Sequence, residues 1–394
     1  MTIPRCARAL AAAGPLLTVT ACHQAPTQTP QQPLEQSTAP SSTSSTSARP
    51  RKASVVMNGD LLWHNTLWFG AHEDAVTAGR RGSQEMDFGP TLAALKGVVA
   101  GADLAICHNE VPTAPPGGPY HSYPAFSAPP QTLRAVKDLG YDLCTTASNH
   151  SLDQGYDGLK RTLDQMDALG LQHVGTARSA READTPVIHT TPGGVRIAVV
   201  EGAYGTNGIP VPATRPWVWA GIEQASLLRR ARAARQAGAE IVLVAVHGGD
   251  EYRAQPNQQQ RALAEALTAS DDVDLVYGHH VHVVQPITRV NGKWVVYGLG
   301  NLVAQHLTSV PRAQEGITTR FTFVQGPTGR FTVGTAEYFP TLTTHYSPGA
   351  PARVLLVNQQ LKAGFDDRER LVQARAHTAE SVNLLTANKG LTQR

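Results

Sequence analysis

The run Asp274-Leu275-Val276-Tyr277-Gly278-His279-His280-Val281-His282 joins an apolar stretch to a cluster of imidazoles. Val273 to Tyr277 reads as a short buried strand. Gly278 ends it and permits a sharp turn. Three histidines follow within four residues. His280 and His282 are two apart, so on an extended or tightly looped backbone their rings can meet at one point. Neutral imidazole is a good ligand for first-row divalent metals. A strand closing in glycine and a His-x-His pair is half of a metal site if other ligand-type side chains lie at other strand ends; otherwise it is incidental.

Such ends recur along the chain. Ser54 to Met57 reads as a strand ending Asn58-Gly59-Asp60, and Ala102 to Cys107 as one ending His108-Asn109-Glu110. Tyr141 to Thr146 ends in Ala147-Ser148-Asn149-His150, and Ile241 to Val246 in His247-Gly248-Gly249-Asp250. Val195 to Val200 is a further strand. Val283 to Val296 reads as a hairpin turning at Asn291-Gly292, and leads to Gly298-Leu299-Gly300-Asn301. Helical patterns fall between the strands, at Leu92 to Ala100, Pro129 to Leu139, Gly158 to Leu169, Ser226 to Ala237 and Gln258 to Ala269.

This alternation predicts an α/β fold, and near-continuous apolar strands suit sheets covered on both faces. Beyond about residue 315 the pattern changes to antiparallel strands, at Thr318 to Val324, Phe331 to Tyr338 and Ala352 to Val357. Residues 54–360 are read as one domain and 361–394 as a helical tail, with a helix over Arg368 to Leu385.

The first 53 residues are of another kind. Arg5 and Arg8 precede an apolar stretch, Ala9 to Val19, too short to span a bilayer, so residues 1–21 read as an export signal. It closes on Leu17-Thr18-Val19-Thr20-Ala21-Cys22, which resembles the bacterial lipobox, and Cys22 is the expected lipidation site. Residues 22–53 are rich in Pro, Ser, Thr and Gln, cannot bury a core, and read as a disordered tether. The expected location is the extracytoplasmic face of the membrane, held by the lipid. Net charge is +3, and Arg5, Arg8, Arg49, Arg51 and Lys52 against Glu35 account for that excess. The folded part is near neutral, and nothing in its charge points to nucleic acid. Four cysteines are too few for a disulfide scaffold. Cys107 and Cys144 read as buried inert thiols, with a disulfide as the alternative in an exported protein.

In α/β sheets ligands bind beyond the carboxyl ends of strands. Asp60, Glu110, Asn149, His150, His247, His280, His282 and Asn301 all stand at such ends. The motifs Asn58-Gly59-Asp60, Asp103 to Pro112, Ser148-Asn149-His150-Ser151-Leu152-Asp153-Gln154-Gly155, His247 to Tyr252, Gly278 to Pro286 and Gly298 to Asn301 resemble, in order, those of the CapA family of poly-γ-glutamate or capsule biosynthesis proteins. That family is similar to the calcineurin-like metallophosphoesterases. The resemblance implies a metallophosphoesterase-like α/β/β/α sandwich with mixed sheets and a centre of one or two divalent metal ions. Mn, Fe and Zn suit a site of mixed carboxylate and imidazole.

By the same resemblance Asp60 binds one metal, Glu110 bridges, Asn149, His247 and His280 hold the second metal, and His282 returns to the first. His150 is the general acid or binds a substrate oxygen. Asp153, Asn301 and His108 are supporting residues without a derived role. Leu62 stands where the superfamily's Asp-x-His pattern has its histidine, and His64 lies two residues on. Two metals can share a hydroxide and clamp the oxygens of a reacting group. The implied partners are an anionic polymer or phosphoester substrate, the membrane, and other capsule-synthesis proteins. Two functions stay open: a surface-anchored metal-dependent hydrolase, or a non-catalytic component of polymer assembly, export or binding with a relic metal site.

Overall fold

The computed structural model describes residues 21, 50–82, 85–306 and 310–394. Cys22 and nearly all of the signal and tether therefore lie outside the described residues. Residues 49–394 make one compact unit. No helix among the described residues is long and apolar enough to cross a membrane.

Among the described residues fifteen strands run in chain order as β1 (Lys52–Leu61), β2 (Leu104–Asn109), β3 (Leu143–Thr145), β4 (Gln172–Val174), β5 (Ile188–Thr190), β6 (Arg196–Ala203), β7 (Ile241–His247), β8 (Leu275–His279), β9 (Ile287–Val290), β10 (Lys293–Val296), β11 (Asn301–Val303), β12 (Glu315–Gln325), β13 (Phe331–Thr343), β14 (Val354–Leu356) and β15 (Leu391–Gln393). One sheet has the order β14-β13-β12-β1-β2-β3-β4, with β11 also on β1 and β15 on β13. The other has the order β5-β6-β7-β8-β10-β9. Both are mixed. β1 to β4 are mutually parallel and β12 runs antiparallel to β1. β6, β7 and β8 are parallel, with antiparallel β5 at one edge.

Period-two alternation assigns the layers. On β7, Ile241, Leu243 and Ala245 face the core that also takes Val55 and Met57 of β1 and Ile106 of β2. This core lies between the sheets. Val242, Val244 and Val246 point the other way, against Leu227, Ala231, Leu263 and Leu267 of the helices Gln224–Gln236 and Gln258–Ala269. On the far side, Val56, Ala105 and Cys107 pack on Leu133, Val136, Leu159 and Met166 of the helices Gln131–Leu139 and Gly155–Ala168. The four layers are helix, sheet, sheet, helix, as the resemblance implies.

Several local expectations change. Leu92 to Ala100 is not one helix but two single turns flanking a 3-10 segment, Ala93–Leu95. Leu92, Leu95 and Val98 are all buried, and steps of three align on one side when the backbone tightens to three residues per turn. The helix Asn65–Thr77 was not anticipated, although Leu67, Ala71 and Ala75 repeat every four residues. The final residues hold the helix Arg368–Val382 and then return as β15 beside β13. Cys107 and Cys144 are joined in a disulfide rather than left as free thiols. They are direct register partners on β2 and β3, with Cα atoms 4.5 Å apart.

Register also aligns the polar ends. Across the first sheet Asn301, Asp60, His108 and Thr145 are successive partners. Across the second, Ala203, His247 and His279 are. The two polar rows cap the shared apolar core at the same end of the sandwich.

Candidate metal centre

The site residues lie at or just beyond strand ends, except Asn301, which opens β11 instead of closing a strand. Gly59 lets β1 pass Gly300 closely, since a Cβ there would lie 2.2 Å from the Gly300 carbonyl oxygen. β1 is irregular between Met57 and Asp60, which turns the Asp60 carboxylate to the inter-sheet face. After β8 the chain turns through His280 at φ 88° and His282 at φ 56°. Asn207 at 52° and Tyr252 at 60° also have left-handed backbones. All four border the same polar cluster. Such conformations persist where the surrounding fold holds them, and they collect at functional sites.

The cluster has two parts. In the inner part Asp60, His108 and His279 bring ligand-type atoms within 4.8 Å of one another. Most of these atoms already have partners. His279 Nδ1 lies 2.7 Å from Asp60 Oδ1, and the His280 amide donates to Asp60 Oδ2 at 3.1 Å. His108 Nδ1 lies 2.9 Å from Thr145 Oγ1, and its Nε2 lies 2.9 Å from His247 Nδ1. The His108 and His279 rings stack with centroids 4.0 Å apart.

The outer part is Glu110, His280 and His282, again within 4.8 Å. Here polar atoms are left over. Glu110 is fully buried, and neither carboxylate oxygen has a hydrogen-bond partner. His280 Nδ1 is likewise buried without one. Glu110 Oε1 lies 3.9 Å from both His247 Nε2 and His282 Nε2. A buried carboxylate without a donor is costly unless a cation meets it. His247 Nε2 is also 2.7 Å from Asn149 Oδ1. Carboxylate, imidazole and amide oxygen thus point into one place, a donor set that fits a divalent first-row ion.

Electrostatics agree. Burial pushes the Glu110 carboxyl up to about 7, reinforced by Asp60 and opposed by His282. Burial pulls His282 down, but the Glu110 and Asp60 carboxylates outweigh it and hold the imidazole up at about 9. Burial and the neighbouring His282 bring His280 down to about 3, which keeps the lone pair of one ring nitrogen free.

Supporting residues acquire contacts. Asn301 Oδ1 lies 2.9 Å from His282 Nδ1, so a proton there leaves His282 Nε2 open toward Glu110. Asp153 Oδ2 lies 2.7 Å from His150 Nδ1 and also accepts the Phe126 amide. His150 is thereby oriented by a carboxylate, next to Asn149 and Asn207. His64 does not replace the absent histidine at Leu62. Its Nδ1 lies 3.1 Å from the Leu62 carbonyl oxygen and 3.2 Å from the Gln305 amide. Its ring packs against Phe126 and His306.

Asp60, Glu110, Asn149, His247, His280 and His282 are therefore brought together, with His108, Asn301 and the His150–Asp153 pair around them. Sequence reasoning passed over His279, Glu201, Asn207, Tyr204 and Tyr252. His279 was legible, since it continues the inward face of Leu275 and Tyr277 on β8. Tyr204, 43% exposed, packs its ring at a tilt against His280 with centroids 4.4 Å apart, but its position gives no local signal.

Residues 54–306, more than half of the chain, match the family of the bacterial capsule synthesis protein PGA_cap. The chain belongs to that family. Among similar proteins, the PGA biosynthesis protein CapA of Bacillus subtilis is 29% identical over 204 residues, which is 52% of this chain and 52% of the relative. The capsule biosynthesis protein CapA of Bacillus anthracis is 31% identical over 186 residues, 45% of this chain and 44% of that one. The chain thus spans about half the length of the curated relatives it matches. Among solved structures, the calcineurin-like phosphoesterase YfkN of Bacillus subtilis aligns with a TM-score of 0.43 at 12% identity, over 83% of this chain and 99% of that one. A phosphatase from Mycoplasma pneumoniae aligns with a TM-score of 0.46 at 12% identity, over 74% and 94%.

Proposed function

We propose that this PGA_cap protein is a lipid-anchored, extracytoplasmic, metal-dependent hydrolase acting on an anionic polymer or phosphoester during capsule or poly-γ-glutamate synthesis. One observation carries the reading: the fully buried Glu110 carboxylate, without a hydrogen-bond donor, equidistant from His247 Nε2 and His282 Nε2. Glu110, His247, His280, His282 and Asn149 would hold the ion, with Asp60 beside them. When bound, a divalent metal supplies Lewis acidity toward a phosphoryl or acyl oxygen and lowers the pKa of a coordinated water. His150, held by Asp153, would pass a proton to a leaving group. Tyr204 stands partly exposed over His280, where it can border a bound chain.

The location rests on the pattern of residues 1–22. The Cys107–Cys144 disulfide supports it, because such bonds persist in oxidising compartments. Replacing Cys22 by Ser is expected to move the protein from the membrane fraction to the soluble one.

The test of the centre is elemental analysis of purified protein, with Mn, Fe or Zn expected and lost on His280→Ala. The test of hydrolysis is turnover of an aryl phosphodiester with added Mn, abolished by His247→Ala. One observation favours the second reading, polymer assembly without hydrolysis: His279 and the His280 amide already fill the Asp60 carboxylate. Metal retained with no turnover of any phosphoester or γ-glutamyl substrate decides for it.

A further inference from the structure

Glu201 lies on β6, fully buried, on the face turned to the first sheet. Its Oε2 accepts the backbone amides of Thr146 at 2.7 Å and Ala147 at 2.8 Å. Its Oε1 lies 3.3 Å from His108 Nδ1 and meets no other donor. Gly175 makes room for it, since a Cβ there would stand 1.8 Å from Oε2.

The protons along this line can be assigned. The Thr145 hydroxyl has one hydrogen, donated to the Cys107 carbonyl at 3.2 Å. With that hydrogen on the carbonyl, Thr145 Oγ1 accepts from His108 Nδ1, 2.9 Å away. Glu201 Oε1 favours the same proton on the same nitrogen. A neutral His108 then has a bare Nε2, which accepts from His247 Nδ1 at 2.9 Å. A neutral His247 with its proton on Nδ1 presents a bare Nε2 to two acceptors, Asn149 Oδ1 at 2.7 Å and Glu110 Oε1 at 3.9 Å, an arrangement that calls for a cation among them, whereas a proton on Nε2 would be donated to Asn149 Oδ1. The form with its proton on Nδ1 is the tautomer a metal ligand needs.

We propose that Glu201, acting through His108, is a positioning residue that sets the His247 tautomer and so makes Nε2 available to a divalent cation. The proposal rests on the metal-site reading above. It adds a carboxylate two imidazoles away from the ion, on a strand that carries no other part of the site. Glu201→Gln is the informative change. One oxygen must still serve the Thr146 and Ala147 amides, which turns the new NH2 group at His108 Nδ1. The donors then oppose each other, His108 is driven to carry its proton on Nε2, and His247 is left with a proton on the nitrogen that faces the centre.

The experiment is calorimetric titration of Mn(II) into the full chain, wild type against Glu201→Gln, His108→Phe and the double variant, with melting of each metal-free protein followed in parallel. We expect Glu201→Gln to weaken Mn(II) binding about 10- to 100-fold while its metal-free melting stays near wild type. The double variant should bind no more weakly than His108→Phe alone, because Glu201 acts only through that ring. Wild-type affinity in Glu201→Gln overturns the proposal, as does an equal further loss in the His108→Phe background. Should Glu201→Gln not fold, Thr145→Val removes the other acceptor of the same proton. A several-fold weaker titration then supports the relay, and an unchanged one overturns it. A wild-type chain that takes up no Mn(II) overturns the metal-site reading itself.

Discussion

Glu110 and His282 set how the site responds to pH. Below about 7 Glu110 carries a proton because burial disfavours its charge. His282 keeps its second proton up to about 9, because the two carboxylates outweigh burial. Both raised values mean that a cation competes with protons that leave only as pH rises. Mn(II) affinity is therefore expected to climb between about pH 6 and 9, with up to about tenfold per pH unit for each proton displaced. His280, neutral throughout, adds nothing to this dependence. Titrations across that range, in buffers of differing ionisation enthalpy, count the protons released. An affinity flat with pH would show that Glu110 and His282 do not hold the ion. These two values arise from contacts between residues 172 positions apart, so no local motif carries them.

Strand ends make the site possible, and the close approaches between them leave little freedom. Gly278 is the sharpest case. A Cβ there would lie 2.0 Å from the Tyr297 carbonyl oxygen, so β8 can reach its turn only with glycine. Gly278→Ala is expected to destabilise the chain by about 2–3 kcal/mol through backbone displacement, and to misplace His279 and His280. Urea unfolding reads the first effect and metal content the second. A variant with the wild-type midpoint and metal load would show that the strand can shift without cost. The long apolar strands were legible from the chain because alternation and burial persist over five to eight residues. β4, β5, β11 and β15 were not, since each is three residues long and mixes polar with apolar side chains, whereas β14, equally short, is wholly apolar and β3 lies within a longer strand-like run. The hairpin turn was legible, and Asn291 and Gly292 take φ of 50° and 79°.

In the assembled sandwich the strands of each sheet must keep their register for the polar rows to meet. The disulfide between Cys107 and Cys144 ties β2 to β3 next to His108 and Thr145, closing a loop with a sequence separation of 37. A loop of that length corresponds to about 3–4 kcal/mol of restriction on the unfolded chain. Replacing both cysteines by Ala is expected to lower unfolding stability by an amount of that order, seen as an earlier denaturation midpoint, and a reductant should do the same to the wild type. Titratable thiols at Cys107 and Cys144 in the unfolded, unreduced protein, counted apart from those of Cys6 and Cys22, would contradict the bond. Deciding between thiols and a disulfide required register, because the spacing of the two cysteines along the chain does not say that β2 and β3 pair with Cys107 opposite Cys144.

Composition, apolar periodicity and the polar residues closing each strand were enough to indicate an α/β sandwich and to nominate Asp60, Glu110, Asn149, His247, His280 and His282, because those signals are local. How these side chains divide the work was decided by packing. Asp60 is filled by His279, Glu110 is left without a donor, and Glu201 reaches His247 through His108. Hydrogen-bond satisfaction belongs to atoms that the chain keeps far apart, and only the meeting of two sheets determines which of them find partners and which are left for a cation.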